Sequence, residues 1–292
     1  MAIHSAIDEG REMAATGSPV AVSPFLDDWA RSLLAHPITK MPAAPKDFRL
    51  TNDVLDARVS LRNTFGHRDW SVGQTRYEVG ETNGEGYKNN VESYKKEIDY
   101  DRPIYDHFEI SGDVLDVGGG VGTVREFLKE DVRFISVDPF IDAPFQVRKP
   151  KREAYKCLTR NLNFVCGFGE FLPFRSEVFD WVHMRSMLDH VQIPDLVLIE
   201  AHRVLRSGGS LLVGLHVEGG RSGKKPLARF IKDAARQASE LIGIKRYKDF
   251  HVWHPKYPQL LKLIRDNGFR VCDEYWQPYW KDQVVYISAQ KH

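Results

Sequence analysis

The chain has 292 residues, 42% of them hydrophobic and 28% charged, with 41 basic against 40 acidic side chains for a formal net charge of +1. That length carries either two domains or one large α/β domain with additions, and the charge balance excludes a global attraction for nucleic acid or for an anionic membrane. No run of about 18 apolar residues occurs, and Cys157, Cys166 and Cys272 form no C-x-x-C pair, so neither a membrane span nor a disulfide framework is expected and the cytoplasm is the expected compartment.

Residues 1–22 are small and polar, with Gly10, Gly17 and Pro19 and no period that buries a face, and read as a flexible N-terminal arm. Ser23 and Pro24 predict the N-cap and first-turn proline of a short helix that carries Phe25, Leu26, Trp29, Leu33 and Leu34 on one side and stops at Pro37. Residues 47–80 hold the β-prone segments DFRL, VLDARVSL and TRYEVG between glycines and polar turns. Residues 23–86 are therefore expected to form a small N-terminal accessory module. Residues 87–108 mix aromatic and charged side chains at helical spacing and lead into a strand at Asp113.

Beyond that point the pattern alternates: strand 113–117, helix 122–130, strand 133–138, a helical stretch at 150–160, strands 162–167 and 178–184, helix 193–205 and strand 209–217. Such alternation predicts a mostly parallel sheet with helices on both faces. A helix at 256–267 followed by strands 269–276 and 283–289, with no crossover helix between the strands, predicts a terminal antiparallel hairpin. The segment at about 218–255 reads as a cap insertion. It has an apolar stripe of Leu227, Ile231, Ala234, Ala238 and Leu241, with Lys224, Lys225, Arg229, Lys232 and Arg236 nearby.

The densest chemical signal is VLDVGGGVG, residues 114–122, where an apolar strand ends on Asp116 and runs into Gly118, Gly119, Gly120 and Gly122 before a helical pattern opens at Thr123. Glycine lets a ligand approach the backbone, and the unpaired amides of the next turn favour a polar cofactor. A dinucleotide fingerprint would place a third glycine where Thr123 stands, so G-x-G-x-G remains instead of G-x-G-x-x-G. That spacing resembles motif I of the class I S-adenosylmethionine (SAM) dependent methyltransferases. The strand RFISVD ends on Asp138, near the offset at which an acid meets ribose hydroxyls, and Pro139 and Phe140 supply flat apolar surface beside it.

GFGEFLPF, residues 167–174, resembles the adenine-contacting segment of the methyltransferase type 11 group, with Phe168 where an aspartate often stands. VFDWVHMRSMLDHV and EAHRVLRSGGSLLV resemble the fourth and fifth strand signatures of the same group. In the last of these, Gly208 is expected to cap the helix before the strand. The resemblance implies a Rossmann-like, seven-stranded methyltransferase sheet over residues 87–292, mostly parallel with a terminal antiparallel hairpin. It also implies that SAM is held by Asp116, Gly118, Gly120, Gly122, Asp138, Pro139, Phe168, Gly169, Glu170 and Arg185. LLAHPITKMPAAPKDF, residues 33–48, resembles the opening of Trm112-like zinc-ribbon modules but lacks their cysteines, so no structural zinc is expected.

Strand four ends at the open side of the sheet, and His190 or Asp189 beyond it could take a proton from an oxygen, nitrogen or activated carbon nucleophile. Anchoring of the following helix would explain the pair equally well. His251 and His254 flank Trp253 with no third metal ligand in view. With His216 they are candidates to line an acceptor pocket, and no metal is expected. The chain is thus read as an enzyme that methylates O, N or C of a small-molecule or biosynthetic-intermediate acceptor. An anionic or lipid-linked acceptor would suit the basic residues of the cap, and no nucleic-acid partner is expected. The rival readings are a SAM-binding regulatory or scaffold protein without turnover and an NAD-dependent oxidoreductase.

Overall fold

A computed structural model describes residues 23–59, 67–83, 90–223, 251–278 and 283–292. The arm expected at residues 1–22 and most of the insertion expected at 218–255 lie outside the described residues. The strands are Arg49–Thr51 (β1), Val54–Asp56 (β2), Asp113–Val117 (β3), Arg133–Asp138 (β4), Asn163–Cys166 (β5), Phe179–Arg185 (β6), Leu205–His216 (β7), Phe269–Trp276 (β8) and Val284–Lys291 (β9). They form one sheet in the order β1-β2-β5-β4-β3-β6-β7-β9-β8. Pairing is parallel from β2 through β7 and antiparallel at β1-β2, β7-β9 and β9-β8.

Every residue of β3 is buried, as befits a central parallel strand covered on both faces. The order reverses between β4 on one side of β3 and β6 on the other, which opens a crevice at the carboxyl ends of these strands. Register places Asp116 opposite Ser136 on β4 and opposite His183 on β6, so three polar side chains meet at that point.

The seven strands β3 to β9 realise the predicted sheet, and the β1-β2 hairpin extends it to nine. The N-terminal segment thus joins the main fold: Leu26, Ala30, Leu33 and Leu34 are buried in the same core as Val117, Val182 and Leu198. Its helix, Asp28–Ser32 (α1), starts later than predicted because Asp27 and not Ser23 caps it, accepting from the Ala30 amide at 2.8 Å.

The segment TRYEVG lies in a helix, His67–Asn83 (α2), against the β reading. Along it Gln74 donates to Glu78 at 3.0 Å and the Thr75 hydroxyl to the Ser71 carbonyl at 2.9 Å, each across one turn.

The helical stretch before β3 is Val91–Phe108 (α3), capped by Asn90 and buried at Tyr94, Ile98, Asp101, Tyr105 and Phe108, steps of four and three that form one stripe, with Tyr105 and Phe108 packed on the sheet and Tyr94 and Ile98 on Ala154, Tyr155 and Cys157. The helix expected at 122–130 contracts to a 3-10 turn, Thr123–Glu126, in which the Gly122 carbonyl accepts from both the amide and Nε of Arg125. Lys149–Ala154 (α4), Pro194–Val204 (α5) and Tyr257–Asp266 (α6) complete the described helices. Gly208 does not cap α5. Leu205 does, and Gly208, at φ +74°, turns the chain within β7.

Candidate functional site

Three glycines of the loop after β3 adopt positive φ: Gly118 (+71°), Gly120 (+50°) and Gly122 (+66°). The loop is tied down on both sides, since the Gly118 amide donates to the Val137 carbonyl at 2.8 Å and the Ser136 hydroxyl donates to the Gly120 carbonyl at 3.0 Å. Asp138 sits behind it at the end of β4, one carboxylate oxygen accepting from the Gly120 amide at 3.0 Å and the other from the Phe140 amide at 2.9 Å. Burial lifts the Asp138 carboxyl from the usual carboxylate range to about 6, the two amides opposing the rise and the nearby Asp116 adding to it.

Above this loop lies a cavity of about 300 Å³, at the lower end of small-molecule sites. Its floor is Asp116 and residues 118–121, its aromatic walls Tyr77 and Phe140, and its charged rim Glu97, Arg148, Lys151 and Arg185. Helix α3 closes one side with Tyr94, Glu97 and Tyr105. Two polar links fix α3 to the strand ends. His183 Nδ1 lies 2.7 Å from Asp116 Oδ1 while its Nε2 lies 3.2 Å from the Tyr105 hydroxyl, and Arg185 forms a 2.6 Å ion pair with Asp101. Burial pushes the Tyr105 phenol well up, so it keeps its proton, and pushes Asp101 up against the opposing pull of Arg185.

A methyltransferase-domain family model matches residues 115–213, which span this loop through β7. Residues 115–213 carry a methyltransferase domain. The chain is 36% identical over 102 residues to the ubiquinone/menaquinone biosynthesis C-methyltransferase UbiE of Rhizobium rhizogenes, covering 34% of this chain and 40% of that protein. It is 26% identical over 141 residues to an uncharacterised protein of Methanocaldococcus jannaschii, covering 45% of this chain and 65% of the relative. The chain thus spans less than two thirds of the length of these curated relatives.

Among solved structures, the [4+2]-cyclase SpnF superposes with a TM-score of 0.51 at 17% identity, over 76% of this chain and 96% of that one. The 1,6-didemethyltoxoflavin-N1-methyltransferase of Burkholderia thailandensis gives a TM-score of 0.50 at 17% identity, over 80% and 94%. Both show the shared fold.

SAM is the cofactor of such a methyltransferase domain, and the donor set fits it. Asp138, buried behind the loop and not itself lining the cavity, keeps a second lone pair on each carboxylate oxygen, Tyr77 and Phe140 offer flat surface of the kind a purine stacks on, and the rim holds one acid, Glu97, among the bases Arg148, Lys151 and Arg185. A Cβ on Gly120 would meet nothing nearer than Asp138 Oδ2 at 3.9 Å, so the backbone there faces open space beside that acid.

Of the residues singled out from the sequence, Asp116, Gly118, Gly120 and Arg185 line the cavity. Gly122 instead packs against Phe134 and Leu162, and Gly169 against Val117 and Val197. The carbonyl of Pro139 accepts from Arg58 at 3.3 Å. Phe168 stands edge-on to Trp70 at 5.5 Å, and Glu170 accepts from the Gln192 and Ile193 amides at the start of α5. None of these last positions lines the cavity. His216, at the end of β7, lies 3.4 Å from Gln283.

Asp189, His190, His251 and His254 come together. The Asp189 carbonyl accepts from the Val252 amide at 2.7 Å, and the imidazoles of His190 and His251 stand 4.5 Å apart, with His254 5.2 Å beyond His251. The loop after β6 thus brings Asp189 and His190 beside His251, a grouping that the sequence spacing does not show. Tyr94, Glu97, Asp101 and Tyr105 were not singled out. Their signal was the four-and-three spacing of the helix, which mixes polar with apolar residues on its buried stripe. Among the described residues no helix is long and apolar enough to cross a membrane.

Proposed function

We propose that the protein transfers a methyl group from SAM to an oxygen, nitrogen or carbon nucleophile of a small-molecule or biosynthetic-intermediate acceptor. The observation that carries this reading is the glycine loop held between Asp116 and Asp138 beneath a cavity with aromatic walls and a charged rim. When bound, the cofactor supplies a methyl carbon already activated by its sulfonium. The chain's own groups then have three tasks. Asp138 accepts from ribose hydroxyls, and the Asp116–His183–Tyr105 series holds the loop and α3 in fixed relation. Asp189 and His190, in the loop that starts at the cavity-lining Ser186, receive a proton from nucleophiles that must lose one.

The C-methyltransferase name of the relatives supports keeping carbon among the acceptor atoms. A cyclase on the same fold shows why turnover needs a direct test. Calorimetry with SAM, S-adenosylhomocysteine and NAD provides the first one. Binding of the first two, weakened by Asp138→Ala, followed by methyl release with a candidate acceptor, supports the reading. NAD binding alone would replace it with an oxidoreductase, and cofactor binding without turnover on any acceptor would leave a scaffold.

A further inference from the structure

We propose that Asp189, His190 and His251 hold one divalent first-row transition-metal ion. The three offer a carboxylate oxygen and two imidazole nitrogens that all lie within 4.8 Å of one another. Asp189 Oδ1 is 3.9 Å from His190 Nε2, and Asp189 Oδ2 is 3.6 Å from His251 Nε2, too long for hydrogen bonds. Two ligand atoms about 2.1 Å from one zinc ion at the tetrahedral angle stand roughly 3.4 Å apart, so these separations match the edges of a coordination polyhedron with small adjustments.

A second observation is independent of the clustering. Asp189 is 6% exposed, and its Oδ1 accepts no hydrogen bond among the described residues. A buried carboxylate oxygen that accepts no hydrogen bond carries a desolvation cost, which a cation beside it relieves.

The backbone holds the set in place from two sides. The Asp189 carbonyl accepts from the amides of Val252 and Trp253, clipping the loop after β6 to the segment before α6, and Met187 in the same loop packs against Gly118. Imidazole donors select zinc, iron, cobalt or nickel over magnesium or calcium, whose sites are built of oxygens. Three protein ligands leave a position open. If the methyl-transfer reading holds, and this consequence rests on it, an acceptor oxygen takes that position. The ion weakens the hold of the oxygen on its proton, which passes to bulk water, and in the metal-loaded protein Asp189 and His190 serve as ligands in place of the proton-accepting role proposed above.

The test uses the full chain after dialysis against a chelator, titrated with Zn²⁺ by calorimetry and with Co²⁺ by visible absorption, each sample also being titrated with S-adenosylhomocysteine. The expected result is one ion per chain, with affinity lowered roughly tenfold or more by Asp189→Asn, His190→Ala and His251→Ala, and unchanged by His107→Ala on the far side of α3. Retained S-adenosylhomocysteine binding in the variants shows that they fold. Absence of a stoichiometric ion, or an affinity indifferent to all three substitutions, overturns the metal site while leaving methyl transfer standing. Metal binding without cofactor binding supports the metal site and removes the methyl-transfer reading.

Discussion

His183 on β6 and Asp116 on β3 lie side by side in the sheet with Nδ1 2.7 Å from Oδ1, both almost fully buried. A carboxylate only accepts, so Nδ1 carries a proton toward Asp116 while Nε2 faces the Tyr105 hydroxyl. The pair is a support for the glycine loop, because Asp116 also fills the space directly under Gly119. His183→Ala would leave a buried carboxylate and a buried phenol without their partner, at a cost of roughly 3 kcal/mol. Tyr105→Phe would cost only about 1 kcal/mol. Denaturant unfolding should give that order, and S-adenosylhomocysteine affinity should fall more in the first variant than in the second.

The glycines of the loop differ in what they protect. A Cβ at Gly119 would overlap Asp116 Oδ2 and lie 2.7 Å from Ser136 Oγ, whereas one at Gly120 has room but demands φ near +50°. Gly119→Ala should therefore displace Asp116 and abolish cofactor binding. Gly120→Ala should cost about 1 to 2 kcal/mol of backbone strain and leave measurable affinity. Calorimetry on the two variants checks the order, and equal losses would contradict it.

Where chemistry and local pattern coincide, the chain was legible. The boundaries of β3 and β4 and the seven-strand plan could be read from apolar runs punctuated by glycine and aspartate. The positive-φ glycine turn and the place of Asp138 at the end of β4 were readable for the same reason, since a few adjacent residues determine the local geometry. Long-range contacts were not readable. Segment TRYEVG is β-prone, yet it lies in a helix whose Tyr77 meets Phe140 edge-on, a contact invisible to local propensity. His251 met Asp189 only once β6 and the segment before α6 were in place, and no spacing rule connects residues that far apart. The β1-β2 hairpin went unread as part of the sheet because strands of three residues carry almost no periodic signal.

Asp138 gives cofactor affinity a pH dependence of definite sign. Its carboxyl in the cofactor-free protein ionises at about 6 against an ordinary 3.8, chiefly through burial. Ribose hydroxyls donate to the ionised form, so affinity should be full above about pH 7 and fall as pH drops through 6, approaching tenfold per unit. For the fold alone the sign is opposite. The raised value means that this group favours the folded state most below 3.8, a contribution lost as pH rises through 6. Asp138→Asn, which cannot ionise, should weaken binding and flatten the affinity profile between pH 5 and 8. A profile in the variant that still bends at 6 would assign the titration to another group.

The Arg185–Asp101 pair links the end of β6 to α3, with Asp101 2% exposed and also accepting from Gln277 at 3.1 Å. Burial raises the Asp101 carboxyl even with Arg185 beside it, so removing the guanidinium raises it further. An acid whose value is raised in the fold loses stability as pH rises through that value, so Arg185→Met should cost more at pH 8 than at pH 5. The expected loss at pH 8 is about 3 kcal/mol, allowing for the partial exposure of the arginine. Adding Asp101→Asn should restore much of the stability, because an amide leaves no buried charge, and should remove the difference between the two pH values. It should not restore cofactor affinity, since Arg185 lines the cavity and Asp101 does not. Thermal unfolding and S-adenosylhomocysteine titration of the single and double variants separate the two effects, and recovery of both together would mean that Arg185 acts only as a structural partner.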